Sequence, residues 1–388
     1  MKRKINFKKI AGLWFTLLLV VLLSAAVSAF ELDVESGILI EAETGQVLYE
    51  KNADLELPPA SITKIMPMLM AMENIENGQI SLQDEVLISN YASSMGGSQI
   101  FLAANTAVPV EKLLKAVTIA SANDASVALS EYLSGTYSSF IHEMNQRAAE
   151  LGMVNTNFVN STGLPAENHY TTARDITKMA REIVQYDLIL EWGQIWDTFI
   201  QLPNREARLT NTNQLINYYP GVDGIKTGYT SEAGYCLTAT ARRNDYRLIS
   251  VVMRTESKEE RRELTTRLLN FGFNNFSREI LFAEGEEIQN IEIAGAKDRH
   301  TTGVISEDLI AMIRRGEKDK FSTQFSPEEN LKAPLSRGDL LGEMVVEKEG
   351  EVINSVQVVV AEDVDRANIF VRLWRSFVNW IGGLLQSF

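Results

Sequence analysis

Three short motifs, each present once, follow one another along this 388-residue chain and limit what it can fold into. They are Ser61-Ile62-Thr63-Lys64, Ser121-Ala122-Asn123 and Lys226-Thr227-Gly228. Together they supply a hydroxyl with an amine one helical turn away, a second hydroxyl with an amide, and a second amine beside a glycine. This is the equipment for acyl transfer through a serine ester without histidine. An S-x-x-K motif alone is expected about once by chance in such a chain, so the ordered set carries the argument.

The first motif places an amine next to a hydroxyl. On a helix, Ser61 and Lys64 are three residues apart and share a face. Partial burial and a second nearby cation, here Lys226, would lower the pKa of a lysine that is otherwise protonated at neutral pH. Lys64 is then predicted to act as general base while Ser61 attacks a carbonyl carbon. A position near a helix start also directs backbone N–H groups at the developing anion.

The other two motifs predict proton transfer and substrate binding. Ser121 and Asn123 are expected to relay a proton to the leaving amine and to hold the substrate amide, although such a cluster alone would also suit a helix cap. The strand around residue 228 is predicted to hydrogen-bond an extended peptide along its edge. Lys226 and Thr227 favour an anionic end on that peptide, and Gly228 leaves room for its close approach.

The first 29 residues predict a secretory signal peptide. Five basic residues precede an apolar run from Ala11 to Leu23, and small residues up to Ala29 follow it. The apolar run is short for a membrane span, so cleavage after Ala29 is favoured over an uncleaved anchor. We therefore expect an exported protein.

The segment from 30 to 276 predicts an α+β body. Strands at both of its ends and helices in its middle imply a sheet that pairs the first and last segments. Pro67, inside the first helix, predicts a kink or the local loss of one hydrogen bond. The expected elements are two strands within 37–49, helices at 61–74, 111–151, 173–191 and 258–270, and strands at 234–241 and 247–253.

Two further segments complete the predicted organisation. Residues 277–362 contain β-branched runs between Gly-rich and acidic turns, which predicts a small all-β domain acting as a spacer. Residues 363–388 place apolar side chains and basic or polar ones on opposite helical faces. That pattern favours an amphipathic helix lying in a membrane interface over one packed on its own domain or on a partner.

Composition excludes several classes of function. The formal net charge of −14 argues against nucleic-acid binding, which depends on cationic contacts to phosphate. The single cysteine, Cys236, lies in a strand-like run and is expected to be a buried structural thiol. No Cys/His cluster or H-E-x-x-H motif suggests a metal, and the predicted chemistry requires no cofactor.

The motifs and the text around them resemble the low-molecular-mass penicillin-binding proteins of the D-alanyl-D-alanine carboxypeptidase type, serine peptidase family S11. The resemblance extends over essentially all of the chain after residue 29. Besides the three motifs, it rests on four supporting segments: Gly96–Leu102, Asn160–Pro165, His169–Asp175 and Gly224–Thr230.

This resemblance implies a β-lactamase/transpeptidase-like catalytic domain, a small β-domain and a membrane-binding terminal helix. The implied partners are peptidoglycan stem peptides as substrate, β-lactam antibiotics as covalent inhibitors, and the outer face of the cytoplasmic membrane. The implied reaction acylates Ser61, releases the terminal D-Ala, and ends when water hydrolyses the acyl-enzyme.

Further residues are carried over from the family by their positions. The oxyanion hole would use the backbone N–H groups of Ser61 and Tyr229, and Tyr229 stands where some members carry histidine, which bears on specificity and deacylation. Arg261 best matches an arginine that binds the substrate carboxylate, with the adjacent Arg262 as the alternative. His169 falls in the loop opposite the serine together with Asp175, and we expect structural roles for both.

Three other functions are alternatives to this reaction. A β-lactamase would share the first and third motifs, but the chain lacks an E-x-x-L-N-type segment and has Ser-Ala-Asn rather than Ser-Asp-Asn. A D,D-endopeptidase would use the same residues on crosslinks. A non-catalytic peptidoglycan-binding scaffold would not need the Ser61 hydroxyl.

Overall fold

The computed structural model describes residues 30–371. The chain up to Asp33 forms a unit of its own, of which residues 30–33 carry no helix or strand. The second unit begins at Val34 and contains all the helices and strands of the described range. The predicted leader and most of the predicted terminal helix, from residue 372, lie outside that range.

A five-stranded antiparallel sheet with the order β2-β1-β9-β8-β7 forms the centre of the first half. The first strand, β1, is buried along its whole length and pairs with both β2 and β9. The expected pairing of the first and last segments is therefore confirmed. The strands are β1 (Ser36–Glu41), β2 (Val47–Lys51), β7 (Val222–Thr230), β8 (Gly234–Arg243) and β9 (Tyr246–Thr255).

Helices build most of the core around this sheet, and two small two-stranded sheets accompany them. The apolar residues of α1, α3, α4 and α6 join those of β1, β7 and β9 in one buried cluster. The hairpin of β5 and β6 is an element that the sequence patterns did not predict. The helices are α1 (Ile65–Glu76), α2 (Asn90–Ser93), α3 (Val110–Ala120), α4 (Asn123–Ser134), α5 (Tyr137–Glu150), α6 (Ala173–Ile183), α7 (Asp187–Gly193) and α8 (Lys258–Asn275). The two small sheets are β3 (Glu85–Leu87) with β4 (Ala107–Pro109), and the hairpin of β5 (Asp197–Gln201) and β6 (Glu206–Thr210).

The segment predicted as one kinked helix has a different arrangement. A 3-10 helix spans Ala60–Lys64, and α1 then runs without interruption from Ile65 to Glu76. Pro67 is the third residue of α1. Proline is best tolerated in the first turn of a helix, and α1 continues past Pro67 with no break in its helical residues.

The second half is rich in strands, as expected. Five of them form an antiparallel sheet ordered β11-β12-β16-β15-β14, and β10 pairs with β13. Alternating apolar side chains from these strands form a separate core. The strands are β10 (Phe276–Phe282), β11 (Glu287–Glu292), β12 (His300–Ile305), β13 (Leu309–Arg314), β14 (Phe321–Pro327), β15 (Leu340–Lys348) and β16 (Glu351–Val360).

The chain continues to pack on this β-rich half after β16. Val364 pairs with Leu335 and Arg366 with Ala296, and Ala367 is buried. Ile369 and Phe370 follow and are largely exposed. Within residues 30–371, no helix combines the length and the apolar character needed to cross a bilayer.

Candidate active site

Ser61 lies in the 3-10 helix that leads into α1, and its hydroxyl faces an amine. The Nζ atom of Lys64 is 3.0 Å from Ser61 Oγ and donates a second hydrogen bond, 2.6 Å long, to the carbonyl oxygen of Thr162. Lys64 is fully buried. The predicted proximity of the amine and the hydroxyl is therefore present before any substrate binds.

Two buried lysines shape the electrostatics of this site. Burial, and next the positive charge of Lys226, hold the pKa of Lys64 well below its usual value, while the Asp124 carboxylate opposes the shift. Burial, and next the charge of Arg261, lower the pKa of Lys226 to about 7. Both amines are therefore easier to deprotonate than ordinary lysines, as a general base requires.

The second motif connects two helices. Ser121 ends α3 in the left-handed conformation, with φ 61° and ψ 32°, and Asn123 begins α4. The Ser121 hydroxyl is buried and has no hydrogen-bond partner among the described residues. Such an atom is available to a substrate or to a transferred proton.

The loop at residues 96–102 is fastened to this motif. Asn123 donates from Nδ2 to the Gly96 carbonyl oxygen at 2.6 Å, and its backbone N–H donates to the Ser98 carbonyl oxygen at 2.7 Å. The buried carboxylate of Asp124 accepts from the N–H groups of Ile100, at 3.1 Å, and Leu102, at 3.0 Å. Sequence reasoning considered Asp124 only as a member of a possible helix cap, and did not predict that its carboxylate would fasten this loop.

The third motif lies on β7, which ends the sheet and pairs with β8 alone among the strands of the central sheet. Lys226 Nζ donates to the Thr227 carbonyl oxygen at 3.2 Å, and Thr227 Oγ1 donates to Thr212 Oγ1 at 2.7 Å. Tyr229 is 55% exposed and stacks on Tyr235, with ring centroids 4.2 Å apart. The strand therefore presents an edge that an extended peptide can join.

The glycine of this motif has a role other than the one its sequence suggested. A Cβ atom on Gly228 would lie 2.9 Å from the Pro59 carbonyl oxygen and 3.1 Å from the Ala60 Cβ atom. The close neighbour is thus the protein's own Ser61 segment. Gly228 therefore lets that segment pack on β7, and the expectation that it leaves room for a substrate stays a prediction.

Substituting Gly228 with alanine is expected to push the Ser61 segment away from β7. We expect the free energy of unfolding to fall by about 1–3 kcal/mol, the usual cost of overpacking, and the acylation rate to fall by at least about 10-fold, because small misplacements of reacting groups are costly. Chemical denaturation and penicillin acylation kinetics measure the two effects. Gly78→Ala is the control for acylation alone: its φ of +70° strains an alanine, but the glycine has open space around it. An acylation rate of Gly228→Ala like that of Gly78→Ala would contradict this packing role.

A loop from the middle of the chain supports the Ser61 segment, and sequence reasoning gave it no role. Asn160 Oδ1 accepts from the backbone N–H of Thr162, at 3.1 Å, and of Gly163, at 2.7 Å. Gly163 has a φ of +76° and packs closely on the carbonyl oxygen of Ala60. A side chain at this position would not fit, because its Cβ atom would overlap that oxygen and would lie 2.9 Å from the backbone nitrogen of Ser61. The sequence Asn-Ser-Thr-Gly at 160–163 is typical of a tight turn, but it does not indicate where in the fold the turn packs.

The two neighbouring arginines have different surroundings. Arg261 is buried, donates from Nη1 to the Cys236 carbonyl oxygen at 3.3 Å, and leaves its Nε without a partner among the described residues. Arg262 lies over the ring of Tyr218, 5.1 Å from the centroid. Since Arg261 also lowers the pKa of Lys226, it is the arginine whose charge reaches the motif residues.

Three further residues have the contacts of structural groups. Cys236 is fully buried, and burial raises the pKa of its thiol to about 11, so it is no nucleophile at neutral pH. The Asp175 carboxylate accepts from Asn155 N at 2.8 Å and Thr156 Oγ1 at 2.9 Å. His169 contacts Thr63 and not Ser61. Within residues 30–371, His, Cys, Asp and Glu side chains do not gather in threes or more as a metal ion would need.

The arrangement as a whole suits acyl transfer. It brings a serine hydroxyl, a buried amine and a strand edge to one place, and the charges of Lys226 and of Asp124, which follows the second motif, reach that amine. An ester to Ser61 could form there, with neighbouring groups able to accept and return its proton. The motif residues predicted from the sequence lie in that assembly, and Arg261 acts on it through its charge.

Comparisons with known proteins agree with this chemistry. The family Peptidase S11, D-alanyl-D-alanine carboxypeptidase, matches residues 24–257, and the C-terminal domain of penicillin-binding protein 5 matches residues 276–366. D-alanyl-D-alanine carboxypeptidase DacF of Bacillus subtilis is 39% identical over 90% of this chain and 90% of its own. DacA of Escherichia coli strain K12 is 32% identical over 91% of this chain and 90% of its own. The crystal structure of penicillin binding protein 5 from Haemophilus influenzae covers 88% of this chain and 100% of its own, with 30% identity and a TM-score of 0.78. Sequence, fold and site geometry together place the chain in the S11 peptidases, the family of D-alanyl-D-alanine carboxypeptidases.

Proposed function

We propose that this protein removes the terminal D-Ala from peptidoglycan pentapeptide stems through an acyl-enzyme on Ser61, and that β-lactams acylate the same serine. The observation that carries the proposal is the 3.0 Å separation of Lys64 Nζ and Ser61 Oγ, with an amine whose pKa is held low by burial. The reaction uses no metal or cofactor in this scheme.

The proposed acylation begins when Ser61 Oγ attacks the carbonyl carbon of the penultimate D-Ala. Lys64, in its neutral form, takes the hydroxyl proton. The backbone N–H groups of Ser61 and Tyr229 stabilise the oxyanion. As the peptide C–N bond breaks, Ser121 gives its hydroxyl proton to the leaving amine and takes one from the Lys64 ammonium, so that D-Ala departs and Lys64 is neutral again. Water then attacks the ester, with the same base, and restores the Ser61 hydroxyl.

Substrate binding is assigned to β7 and its surroundings. The stem peptide would extend along the free edge of β7, with Asn123 holding an amide group of the substrate. Lys226, Thr227 and Arg261 would bind its terminal carboxylate, since cations and hydroxyl groups suit that anion. The unpartnered Nε of the buried Arg261 supports its part in this role.

Arg261 and Arg262 provide a matched pair of substitutions. We expect Arg261→Ala to lower kcat/KM for D-Ala release by about 10–100-fold, because a charged hydrogen bond of about 1.5–3 kcal/mol is lost. Arg262→Ala should remain within about threefold of the wild type, since its guanidinium lies over Tyr218. Steady-state assays with a diacyl-D-Ala-D-Ala peptide measure both. A larger loss for Arg262→Ala would reverse the assignment.

The proposed function is tested by mass spectrometry of the protein after incubation with penicillin G, together with an assay of D-Ala release from that peptide. An adduct mapped to Ser61 with D-Ala release supports the proposal. An adduct without release would move the substrate toward crosslinks, as for a D,D-endopeptidase. If the folded protein gives neither a penicillin adduct nor D-Ala release, the non-catalytic scaffold is the remaining function.

We further propose that residues 1–29 direct export and that residues 363–388 attach the protein to the outer face of the cytoplasmic membrane. Both assignments rest on sequence patterns: a basic and apolar leader, and a terminal segment with apolar and basic faces. The catalytic part is taken as 30–276 and the β-domain as 277–362. The following segment still packs on the β-domain up to Ala367.

Removing the chain after Asn368 tests the membrane proposal without cutting into packed residues. The shortened protein should stay in the supernatant when mixed with anionic lipid vesicles and centrifuged, while the full chain should sediment with them. Its kcat/KM should match that of the full chain, because the catalytic residues lie far from the deletion in sequence and in a different domain. Equal sedimentation of the two proteins would contradict attachment through this segment.

A further inference from the structure

The residue before Ser61 has a conformation that needs support. Ala60 is buried and has φ +47°, in the left-handed region that residues with a Cβ atom rarely adopt. Such a conformation persists only where neighbouring contacts hold it. Gly163 packs on the Ala60 carbonyl from one side. A chain of hydrogen bonds reaches the same carbonyl oxygen from another.

This series of hydrogen bonds starts at Val159, in the loop that precedes His169, and ends at the carbonyl oxygen of Ala60. The Val159 N–H donates to His169 Nδ1 at 2.9 Å, His169 Nε2 is 2.8 Å from Thr63 Oγ1, and Thr63 Oγ1 is 2.8 Å from the Ala60 carbonyl oxygen. Because Nδ1 accepts, the proton of the neutral ring must be on Nε2, which therefore donates to Thr63. The single hydroxyl proton of Thr63 is then directed to Ala60.

Burial keeps His169 in the form that this chain needs. It is 6% exposed, and burial lowers the pKa of its imidazole to about 4. The ring is thus neutral at neutral pH, and Nδ1 stays an acceptor there. Every donor in the chain has one acceptor, so the direction of each bond is fixed.

The carbonyl of Ala60 and the N–H of Ser61 belong to one peptide group. Since that group is planar, the direction of the carbonyl sets the direction of the N–H, which points the opposite way. The Ser61 N–H is the donor assigned above to the oxyanion. Whatever holds the Ala60 carbonyl therefore aims the oxyanion donor.

We propose that His169 is a positioning residue for acylation, which aims the Ser61 N–H at the oxyanion by holding the Ala60 carbonyl through Thr63. The inference rests on the proposed function and adds to it an orienting path from the 159–169 loop. His169 touches neither the reacting atoms nor Ser61, so it acts only through Thr63.

Two pairs of variants separate this role from simple packing. Asn at 169 places an oxygen near the position of Nδ1, which keeps the acceptor for Val159 and removes the donor to Thr63. Gln at 169 places its amide nitrogen near the position of Nε2, which keeps the donor. Thr63→Val removes the hydroxyl with little change of shape, and Thr63→Ser keeps it. His142→Asn, at an exposed histidine of α5, is the control.

The experiment measures penicillin acylation rates of the full chain in detergent, with thermal unfolding of every variant. We expect His169→Asn and Thr63→Val to lower the acylation rate constant about 10–100-fold, a part of what removing an oxyanion donor costs. The dissociation constant of the non-covalent complex should change little. The acylation rate should stay within about threefold of the wild type for the conservative and control variants His169→Gln, Thr63→Ser and His142→Asn. The double variant that combines His169→Asn with Thr63→Val should acylate no more slowly than the slower of these two single variants.

Each other outcome overturns the inference. Acylation of His169→Asn or Thr63→Val within about twofold of the wild type would show that the path does not aim the donor. Equal losses for Asn and Gln at 169, or losses that multiply in the double variant, would show a packing role instead. If His169→Asn does not fold, the Thr63 pair alone decides. Absence of a Ser61 adduct in the wild type would overturn the proposed function. That result comes from the wild-type protein alone and is therefore distinct from any difference among the variants.

Discussion

Replacing Ser61 by alanine is expected to eliminate both the penicillin adduct and the release of D-Ala. The hydroxyl is the atom that forms the ester. The Ser121 hydroxyl has no hydrogen-bonded base to activate it among the described residues, and the one thiol of the chain is buried with a raised pKa. Loss of a serine nucleophile in a comparable catalytic unit lowers kcat by about 10⁶-fold. Intact-protein mass spectrometry and a D-Ala assay measure the two signals.

The fold should survive this substitution. Ser61 is only partly buried and contributes one side-chain hydrogen bond, to Lys64. Circular dichroism and the unfolding temperature provide the check, and Ser138→Ala, at an exposed position of α5, is the matched control for losing a hydroxyl. A Ser61→Ala protein that keeps its cellular role would favour the scaffold, and one that still releases D-Ala would refute the nucleophile assignment.

The parts of the site that sequence predicted are those whose chemistry is local. Ser61 and Lys64 are three residues apart, and helical geometry alone brings them together. The sheet that joins β1 to β9 followed from strand patterns at both ends of the α+β segment. The second core followed from β-branched runs, and the family comparisons agree with both halves.

The parts that sequence did not predict depend on contacts between distant residues. Lys64 and Thr162 are 98 positions apart, and Thr63 and His169 are 106 apart. Nothing in the Asn-Ser-Thr-Gly text indicates that its glycine will pack on Ala60. Gly228 was correctly selected as a position of close approach, but only the packing of Pro59 and Ala60 on β7 showed what approaches.

Some sequence predictions concern other levels of organisation and stay predictions. The export signal and most of the predicted membrane helix lie outside residues 30–371, and the domain limits are proposals. Of the described part of that helix, residues 363–368 are not helical and only residues 369–371 are. The β5–β6 hairpin was missed even though Pro203 and Asn204 mark its turn, because short alternating strands of mixed polarity give a weak pattern. The buried residues of this hairpin pack against the main core, and that contact is not visible in the local sequence.

Replacing Lys64 by methionine is expected to lower the acylation rate by about 10²–10⁴-fold, the usual contribution of a general base. Methionine fills nearly the same volume in the buried site but cannot accept the Ser61 proton. Stopped-flow or quenched penicillin acylation measures the loss, and Lys258→Met, at an exposed position of α8, is the control. Acylation at the wild-type rate would exclude Lys64 as the base.

The same substitution has a second consequence, in the pH dependence of stability. The pKa of Lys64 is lower in the folded chain than its usual value of 10.5, so between these two pKa values the unfolded chain binds the extra proton. Stability of the wild type therefore rises with pH across that window, and below it the full cost of the buried amine is present. Lys64→Met lacks this contribution. We expect the wild type to gain stability relative to Lys64→Met as the pH rises from neutral toward 10, measured by urea denaturation. A constant difference would mean that Lys64 titrates alike in both states, and so that burial does not prepare it to act as a base at neutral pH.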